Sequence, residues 1–171
     1  MKLSDYVFEF IARQGVKHVF MLPGGGAMHL NDSLGHHPGL EFVSNLHEQA
    51  SAMAAETYAK ATDGLGVAHF TTGPGSTNAI TGVAGAYLDS TPCLYISGQV
   101  KRPDMKANTG VRQMGVQEVD IVSMVRPITK YAATVMEPAT IRRHLEEAIH
   151  CATTGRRGHV WLDIPLDVQN A

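Results

Sequence analysis

The run Gly66-Val67-Ala68-His69-Phe70-Thr71-Thr72-Gly73-Pro74-Gly75 joins a short apolar segment to a glycine-rich turn. Apolar segments of this length that end at Gly and Pro are typical of buried strands. An earlier stretch has the same form, since His18 to Leu22 leads directly into Pro23-Gly24-Gly25-Gly26. Each stretch therefore predicts a buried strand whose carboxyl end opens into a tight turn.

Six strand-like runs alternate with helical stretches or long crossovers. The pattern predicts an α/β fold, a three-layer sandwich in which helices cover both faces of a mostly parallel six-stranded sheet. The six runs are His18 to Leu22, Glu41 to Ser44, Gly66 to Thr71, Cys93 to Ser97, Tyr131 to Val135 and His159 to Asp163.

Helical spacing of apolar residues is clearest near the two ends of the chain. A first helix is predicted from Leu3 onward, with Ser4 as a candidate cap and Gly15 as a candidate stop. A last helix is predicted between Pro138 and Gly155, where Ile141, Leu145, Ala148, Ile149 and Ala152 form one apolar stripe. Lys101 to Gly115 is polar and has no clear period, so it is predicted to be a long connection of the kind that often carries function.

Composition bounds the class of protein. The 171 residues are 44% hydrophobic and carry a formal charge of −2, which fits one domain over residues 1–171 with no nucleic-acid or membrane partner. Cys93 and Cys151 lie far apart and suggest reduced thiols, and hence the cytoplasm. His29, His36, His37, His47 and His69 follow no metal-ligand spacing, so no metal site is expected.

The two glycine-rich turns follow strands, which places both at the carboxyl edge of the predicted sheet. Open α/β sheets bind ligands at that edge, and glycine lets the backbone approach a ligand closely. A tight turn without any ligand explains each one equally well. Neither turn has the last Gly or Ala of a dinucleotide fingerprint, and no phosphate-binding G-x-x-x-x-G-K-[ST] occurs.

Glu48 stands at the start of a small, apolar helical stretch, Gln49 to Ala55. A carboxyl group in such a place can be desolvated and put to chemical use. The spacing from Asn45 to Glu48 is also that of a capping box, in which the glutamate bonds back to the cap residue. Spacing alone favours the capping role.

Taken in order, seven segments resemble the amino-terminal, pyrimidine-binding domain of thiamine-diphosphate enzymes of the acetolactate synthase and pyruvate oxidase type. Each is weak alone, and their shared order over nearly the whole chain is specific. They are His18 to Gly25, His47 to Ala55, Thr72 to Asn78, Asp89 to Pro92, Ser97 to Val100, Gln117 to Asp120 and Trp161 to Gln169.

The resemblance implies a chemical role for Glu48. In this family the cofactor acts through a carbon of its thiazolium ring, and the protein supplies orientation and electrostatics. A glutamate shares a proton with the far side of the pyrimidine ring, which makes the cofactor's own amino group basic enough to take the thiazolium proton. By resemblance Glu48 is that catalytic glutamate.

Other site residues follow from the resemblance alone. Five positions correspond to residues that pack against or hydrogen-bond the pyrimidine, Gln117 corresponds to a glutamine facing the reacting centre, and Gln99 to a residue supporting the site from behind. The five pyrimidine positions are Pro23, Gly24, Thr72, Pro74 and Asn78.

Two departures leave the substrate open. Acetolactate synthases usually carry Phe where this chain has Val116, and Ala where it has Gly26. The resemblance implies decarboxylation or carboligation of a small 2-oxo acid by a transferase or lyase, and a carbon-carbon hydrolase acting on a diketone fits equally well. FAD is compatible with the full enzyme.

The family holds the diphosphate through Mg²⁺ on a separate domain with a Gly-Asp-Gly motif. Thr62-Asp63-Gly64 is the nearest match and lacks the first glycine. The chain is therefore expected to be an inactive fragment of a longer enzyme, or else a separate small subunit of a 2-oxo acid decarboxylase. Its site would be completed by the diphosphate-binding domain of a partner subunit in a homodimer or homotetramer. A non-catalytic module of the same fold is the remaining alternative.

Overall fold

One six-stranded sheet organises the chain, and a computed structural model describes it over all 171 residues. The strands lie in the order β2-β1-β3-β4-β6-β5, and every neighbouring pair is parallel. The six predicted strands are confirmed close to their predicted positions, and the sheet is fully rather than mostly parallel. They are β1 His18–Met21, β2 Glu41–Ser44, β3 Gly66–Phe70, β4 Cys93–Gln99, β5 Tyr131–Thr134 and β6 Val160–Pro165.

Helices lie in the connections between the strands, and short 3-10 turns occupy several junctions. The helices are α1 Leu3–Arg13, α2 Met28–His36, α3 Glu48–Thr62, α4 Pro74–Asn78, α5 Ile80–Asp89, α6 Ile121–Val125, α7 Ile141–Thr153 and α8 Leu166–Gln169. The 3-10 turns are Gly25–Ala27, Arg102–Asp104, Arg126–Ile128 and Pro138–Thr140. No helix is both long and apolar enough to cross a membrane.

Two hydrophobic clusters lie on opposite faces of the sheet, which confirms the three-layer sandwich. Along β4, Leu94 and Ile96 belong to the cluster that packs against α1, α2 and α7, whereas Cys93 and Tyr95 belong to the cluster beneath α3, α5 and α6. Successive strand residues point to opposite faces, so one strand serves both cores. Because both faces are covered, the central strands are buried along their whole length.

The face beneath α3 is built for close approach. A Cβ on Gly66 would lie 2.1 Å from the carbonyl oxygen of Ala55, and a Cβ on Gly82 would lie 2.6 Å from the Cβ of Ala52. The small residues of α3 therefore let the helix sit tightly between β3 and α5. This packing fixes the position of the amino end of α3, where Glu48 stands.

The helices predicted near the two ends of the chain, α1 and α7, show what local sequence predicts well and poorly. Gly15 follows α1 with a φ of +84°, as expected of a glycine that ends a helix. The predicted cap Ser4 is wrong: the cap residue is Lys2, two residues earlier, and its backbone N–H bonds to Asp5. Buried Ser4 accepts a hydrogen bond from Ser33 instead. The apolar stripe predicted for the last helix faces the core from α7.

Candidate functional site

The amino end of α3 is capped without help from Glu48. The cap residue is His47, whose ring Nδ1 accepts a hydrogen bond from the Gln49 backbone N–H at 3.2 Å. Asn45, the cap predicted from spacing, donates its side-chain amide to Ser51 Oγ at 3.0 Å. The capping box is therefore wrong, because the backbone enters α3 two residues later than the motif requires.

The Glu48 carboxyl takes no part in the helix cap and lies at the carboxyl edge of the sheet. Glu48 is only 6% exposed, and its Oε2 accepts a hydrogen bond from the Asn78 side-chain amide at 3.0 Å. Oε1 lies beside the second glycine-rich turn, where a Cβ on Gly75 would come within 3.2 Å of it. The fold thus brings together two predicted site residues that are 30 positions apart.

The two glycine-rich turns pack directly against each other. A Cβ on Gly24 would lie 2.5 Å from Thr71 Cβ, and a Cβ on Gly26 would lie 1.9 Å from Thr72 Oγ1. The Gly26 backbone N–H also donates to Thr71 Oγ1 at 3.0 Å. Glycine at 24 and 26 is therefore required for contact between the turns. Gly25 is different, since nothing lies within 4 Å of the Cβ it lacks.

Thr72 carries an unsatisfied hydroxyl at this contact. The residue is 3% exposed, and Oγ1 has no hydrogen-bond partner within the chain. Buried hydroxyls normally find a partner, so an orphaned one beside a cavity marks a place where another molecule can bond. A cavity of about 330 Å³ adjoins it, lined in part by Gly25, Gly26, Thr72, Gln99, Val116 and Gln117.

Gln117 reaches the same cavity from the long connection between β4 and α6. The residue has a φ of +60°, and its backbone carbonyl packs against Gly73, where a Cβ would lie 1.9 Å from the carbonyl oxygen. Gly73 has a φ of +63°, so glycine is required there on two grounds. The turn after β3 thus contacts Glu48 on one side and the Gln117 segment on the other.

Residues 1–124 match the family described as "Thiamine pyrophosphate enzyme, N-terminal TPP binding domain". The chain belongs to this family. It is 40% identical to the acetolactate synthase large subunit of Lactococcus lactis, over 96% of the chain and 28% of the relative. It is also 40% identical to the chloroplastic acetolactate synthase of Arabidopsis thaliana, over 98% of the chain and 24% of the relative. Its identity to the acetolactate synthase isozyme 3 large subunit of Escherichia coli is 39%, over 98% of the chain and 28% of the relative.

The chain therefore spans about a quarter of the length of the curated relatives that it matches. The resemblance drawn from the ordered motifs is confirmed at the level of the family. Within the TPP-binding domain, the two prolines predicted at the site, Pro23 and Pro74, are exposed on the first and second turns respectively. Gly24, Thr72 and Asn78 make the contacts described above.

Gln99 supports the site from the end of β4. It is 2% exposed, and its side-chain amide donates to the Val119 carbonyl at 2.8 Å and to the Asp163 carboxyl at 3.1 Å. It therefore links the sheet to the segment that carries Gln117. This placement fits a residue that acts from behind the cavity.

Two residues of the site region were missed by sequence reasoning. Thr71 supplies the hydroxyl that joins the two turns, and nothing in its local sequence distinguishes it from Thr72. Asp163 is a fully buried acid within β6, and burial raises its pKa from 3.8 to about 7 despite hydrogen bonds from Ser97, Gln99 and Thr134 that lower it. A signal for Asp163 was present, since a lone acid interrupts the apolar run Val160–Ile164.

Groups elsewhere in the domain have local explanations. Asp63 of the partial Thr62-Asp63-Gly64 match ends α3 in a left-handed conformation and accepts a hydrogen bond from Arg157 at 2.6 Å. The structure contains no group of three or more His, Cys, Asp or Glu side chains placed to hold a metal ion. A cavity of about 470 Å³ opens at the opposite edge of the sheet, beside Lys130, Arg156 and His159.

Proposed function

We propose that this chain is the part of a thiamine-diphosphate enzyme that holds the pyrimidine end of the cofactor and activates it through Glu48. The complete enzyme would decarboxylate a small 2-oxo acid and transfer the product to an acceptor, as the names of the acetolactate synthase relatives suggest. One observation carries the proposal above the others: Glu48 is a buried carboxyl that takes no part in capping its own helix.

The residues present fit the pyrimidine end of the cofactor. Glu48 offers a carboxyl oxygen beside Gly75, where the absence of a side chain keeps the approach open. Thr72 offers a buried hydroxyl with no partner in the chain. Together with the Pro23-Gly24 turn, these groups would bind a flat, polar heterocycle at the carboxyl edge of the sheet.

When bound, the cofactor supplies a nucleophilic carbon and an electron sink for the substrate carbonyl. The chain's own task is then to move and hold one proton. Asn78 fixes Oε2 of Glu48, which leaves Oε1 to share a proton with a ring nitrogen. The buried setting strengthens that hydrogen bond, because electrostatic interactions gain strength where water is excluded.

The cavity next to Thr72 would receive the substrate. Gly26 and Val116, both smaller than the residues usual in acetolactate synthases, line it together with Gln117. We therefore expect room for a substrate or acceptor larger than pyruvate. Gln117 would face the reacting atoms from the exposed side of the cavity.

The remaining parts of the active site would come from outside this chain. A diphosphate-binding domain of a partner subunit would hold Mg²⁺ and the charged end of the cofactor, in a homodimer or homotetramer of the complete cytoplasmic enzyme, with FAD as a further ligand. Sedimentation of the complete enzyme with and without Mg²⁺ and cofactor measures the assembly. A complete enzyme that turns over as a monomer would contradict a site shared between subunits.

The decisive experiment replaces Glu48 with Gln in the complete enzyme that contains this chain, with Mg²⁺ and cofactor present. Exchange of the thiazolium proton, followed by NMR after mixing with D₂O, is expected to slow by about 10²- to 10⁴-fold, the range typical of positioned acid-base groups. Glu56→Gln is the matched control, because Glu56 is a second buried acid on α3 that bonds to Lys60 far from the turns.

Unchanged exchange in Glu48→Gln would show that this chain does not activate the cofactor. Exchange that is slow in the unsubstituted enzyme and unaffected by either variant would identify a non-catalytic module of the same fold. Equal loss in both variants would indicate damage to α3 rather than to the chemistry.

A further inference from the structure

Asp163 forms a hydrogen-bonded network inside the sheet, with every bond supplied by the chain itself. Oδ1 accepts from the Ser97 hydroxyl at 2.6 Å, and Oδ2 accepts from Gln99 at 3.1 Å and from Thr134 at 3.4 Å. Ser97 Oγ in turn accepts from the Trp161 indole N–H at 2.8 Å. A change at Asp163 is therefore felt by the side chain of the single tryptophan in the chain.

Gln99 carries this network out of the sheet. Its side-chain amide bonds to Asp163 and to the Val119 carbonyl, and its Oε1 accepts the Val100 backbone N–H at 3.0 Å. The same side chain thus holds the beginning and the end of the connection from 100 to 119. Val119 is two residues from Gln117, which lines the candidate substrate cavity.

The Gln117 segment needs such an anchor. A non-glycine residue with a φ of +60° lies in a sparsely populated conformation that persists only when its surroundings hold it. Gly73 supports the carbonyl of Gln117 from one side. On the other side, Gln99 holds the following residues through the Val119 carbonyl, and Glu118 bonds to the backbone N–H groups of Met114 and Gly115.

We propose that Asp163 is a positioning residue for Gln117, acting through Gln99 and Val119, and that the protonation state of Asp163 sets how firmly this segment is held. The contacts that carry it form within the chain and involve no cofactor. The proposal rests on the proposed function only where it assigns Gln117 to the substrate side.

The direction of the effect follows from the hydrogen-bond donors. Ser97, Gln99 and Thr134 all donate to Asp163, an arrangement that suits a carboxylate, and bonds to a charged acceptor are stronger than bonds to a neutral one. A proton on Asp163 removes the charge and makes one oxygen a donor. The bond to Gln99 is then weaker, and the segment is held less firmly.

Charged groups near Asp163 come from the connection itself. Asp163 and Thr134 line a cavity of about 250 Å³ together with Lys106, Glu118 and Asp120. Burial raises the pKa of Asp163 to about 7, and the negative charge of Asp120 acts in the same direction. Glu118 accepts hydrogen bonds from the backbone N–H groups of Lys106, Met114 and Gly115. The protonation change is therefore expected near neutral pH.

The test follows two signals on the full chain between pH 5 and pH 9. Trp161 fluorescence reports the network, and hydrogen exchange of residues 115–119, corrected for intrinsic rates, reports the segment. Both are expected to change with one midpoint near 7, with exchange roughly fivefold slower on the alkaline side because one neutral hydrogen bond becomes charge-assisted.

Three variants separate the steps. Asp163→Asn should remove both transitions and leave exchange at the faster, acid-side rate. Gln99→Leu should keep the Trp161 transition and lose the response of residues 115–119, because only the link is broken. Thr134→Val is the control: it deletes the longest of the three bonds and should keep both transitions.

The proposal would be overturned if, in the unsubstituted chain, hydrogen exchange of residues 115–119 did not change at the pH midpoint of the Trp161 fluorescence. An unchanged exchange response in Gln99→Leu would also overturn it, which keeps the proposal testable even where Asp163→Asn does not fold. Since no cofactor is present, these outcomes are independent of the Glu48→Gln experiment, and either inference can fail alone.

Discussion

The domain buries two carboxyl groups in opposite circumstances, Glu48 at the edge of the sheet and Asp163 within it. Asp163 accepts hydrogen bonds from Ser97, Gln99 and Thr134, whereas Glu48 accepts one side-chain bond, from Asn78. Both residues are nearly or fully shielded from water. A buried acid that the chain satisfies by itself serves the fold, and one left with free acceptor capacity is suited to a partner from outside.

The same contrast extends to the surroundings of each group. Near Glu48, glycines and the orphaned Thr72 hydroxyl leave polar capacity at the edge. Inside the sheet, His69 on β3 departs from this contrast, because its two ring nitrogens have no hydrogen-bond partner. Edge and interior therefore make different demands on stability, and four substitutions test them.

The largest effect on stability is expected at Asp163. Burial raises its pKa from 3.8 to about 7, so between those values the folded chain holds a proton that the unfolded chain has released. Stability from this group is fully present below pH 3.8 and is lost as the pH rises through 7, by roughly 4 kcal/mol in total. Between pH 5 and pH 8 the unsubstituted chain should lose roughly 2.5–3 kcal/mol of this stability, because about two pH units of that window lie above pH 5. Urea unfolding at pH 5 and pH 8 should show Asp163→Asn gaining on the unsubstituted chain by about that difference at the higher pH. A difference that does not vary with pH would place the titration elsewhere.

The next largest effect on stability is expected from Gly26→Ala. Its new Cβ would lie 1.9 Å from Thr72 Oγ1 and 2.7 Å from Thr72 Cβ, so one of the turns must move. We expect a loss of about 1–3 kcal/mol in the free energy of unfolding. The adjacent Gly25→Ala is the matched control, because its Cβ would meet nothing within 4 Å. Equal stability of the two variants would mean that the turns are not in contact.

His69→Leu should stabilise the domain by about 1–2 kcal/mol at neutral pH, since two unpartnered ring nitrogens are replaced by apolar surface. Burial lowers the pKa of His69 from 6.5 to about 4. The unfolded chain therefore binds a proton first as the pH falls from 6.5 to 4, and the unsubstituted domain loses stability over that range. Thermal melting at pH 7 and pH 5 should show a larger advantage for the variant at pH 5.

Exposed His36→Leu serves as the control and should change stability by less than about 0.5 kcal/mol at either pH. A destabilised His69→Leu would mean that the ring fills its site better than leucine does, through its edge contact with Phe8.

The smallest effect on stability is expected from Glu48→Gln. The amide keeps an oxygen for Asn78 and fills the same volume, so the free energy of unfolding should change by less than about 1 kcal/mol. Differential scanning calorimetry measures this on the same sample that is used for proton exchange. A large loss of stability would make Glu48 resemble Asp163, and the comparison between the two acids would fail.

The strand pattern was predictable because it is local. Short strand-like runs identified all six strands, and their alternation with helices predicted the parallel sheet. The cap of α3 was not predictable from spacing, because Asn45 satisfies the capping pattern and only the path of the chain from β2 decides that His47 is the cap. The roles of Gly24 and Gly26 were likewise visible only once the two turns were seen in contact.

The sequence by itself determined the layers, the order of the motifs and the family, since periodicity and motif order are properties of neighbouring residues. The tertiary structure decided which distant side chains meet: Glu48 with Asn78, Gly26 with Thr71, and Asp163 with Ser97 and Gln99. These pairs are separated by 30 to 66 residues, and a hydrogen bond forms only when the fold brings its atoms to about 3 Å. The same geometry makes His47 the cap of α3 and leaves the Glu48 carboxyl out of that cap.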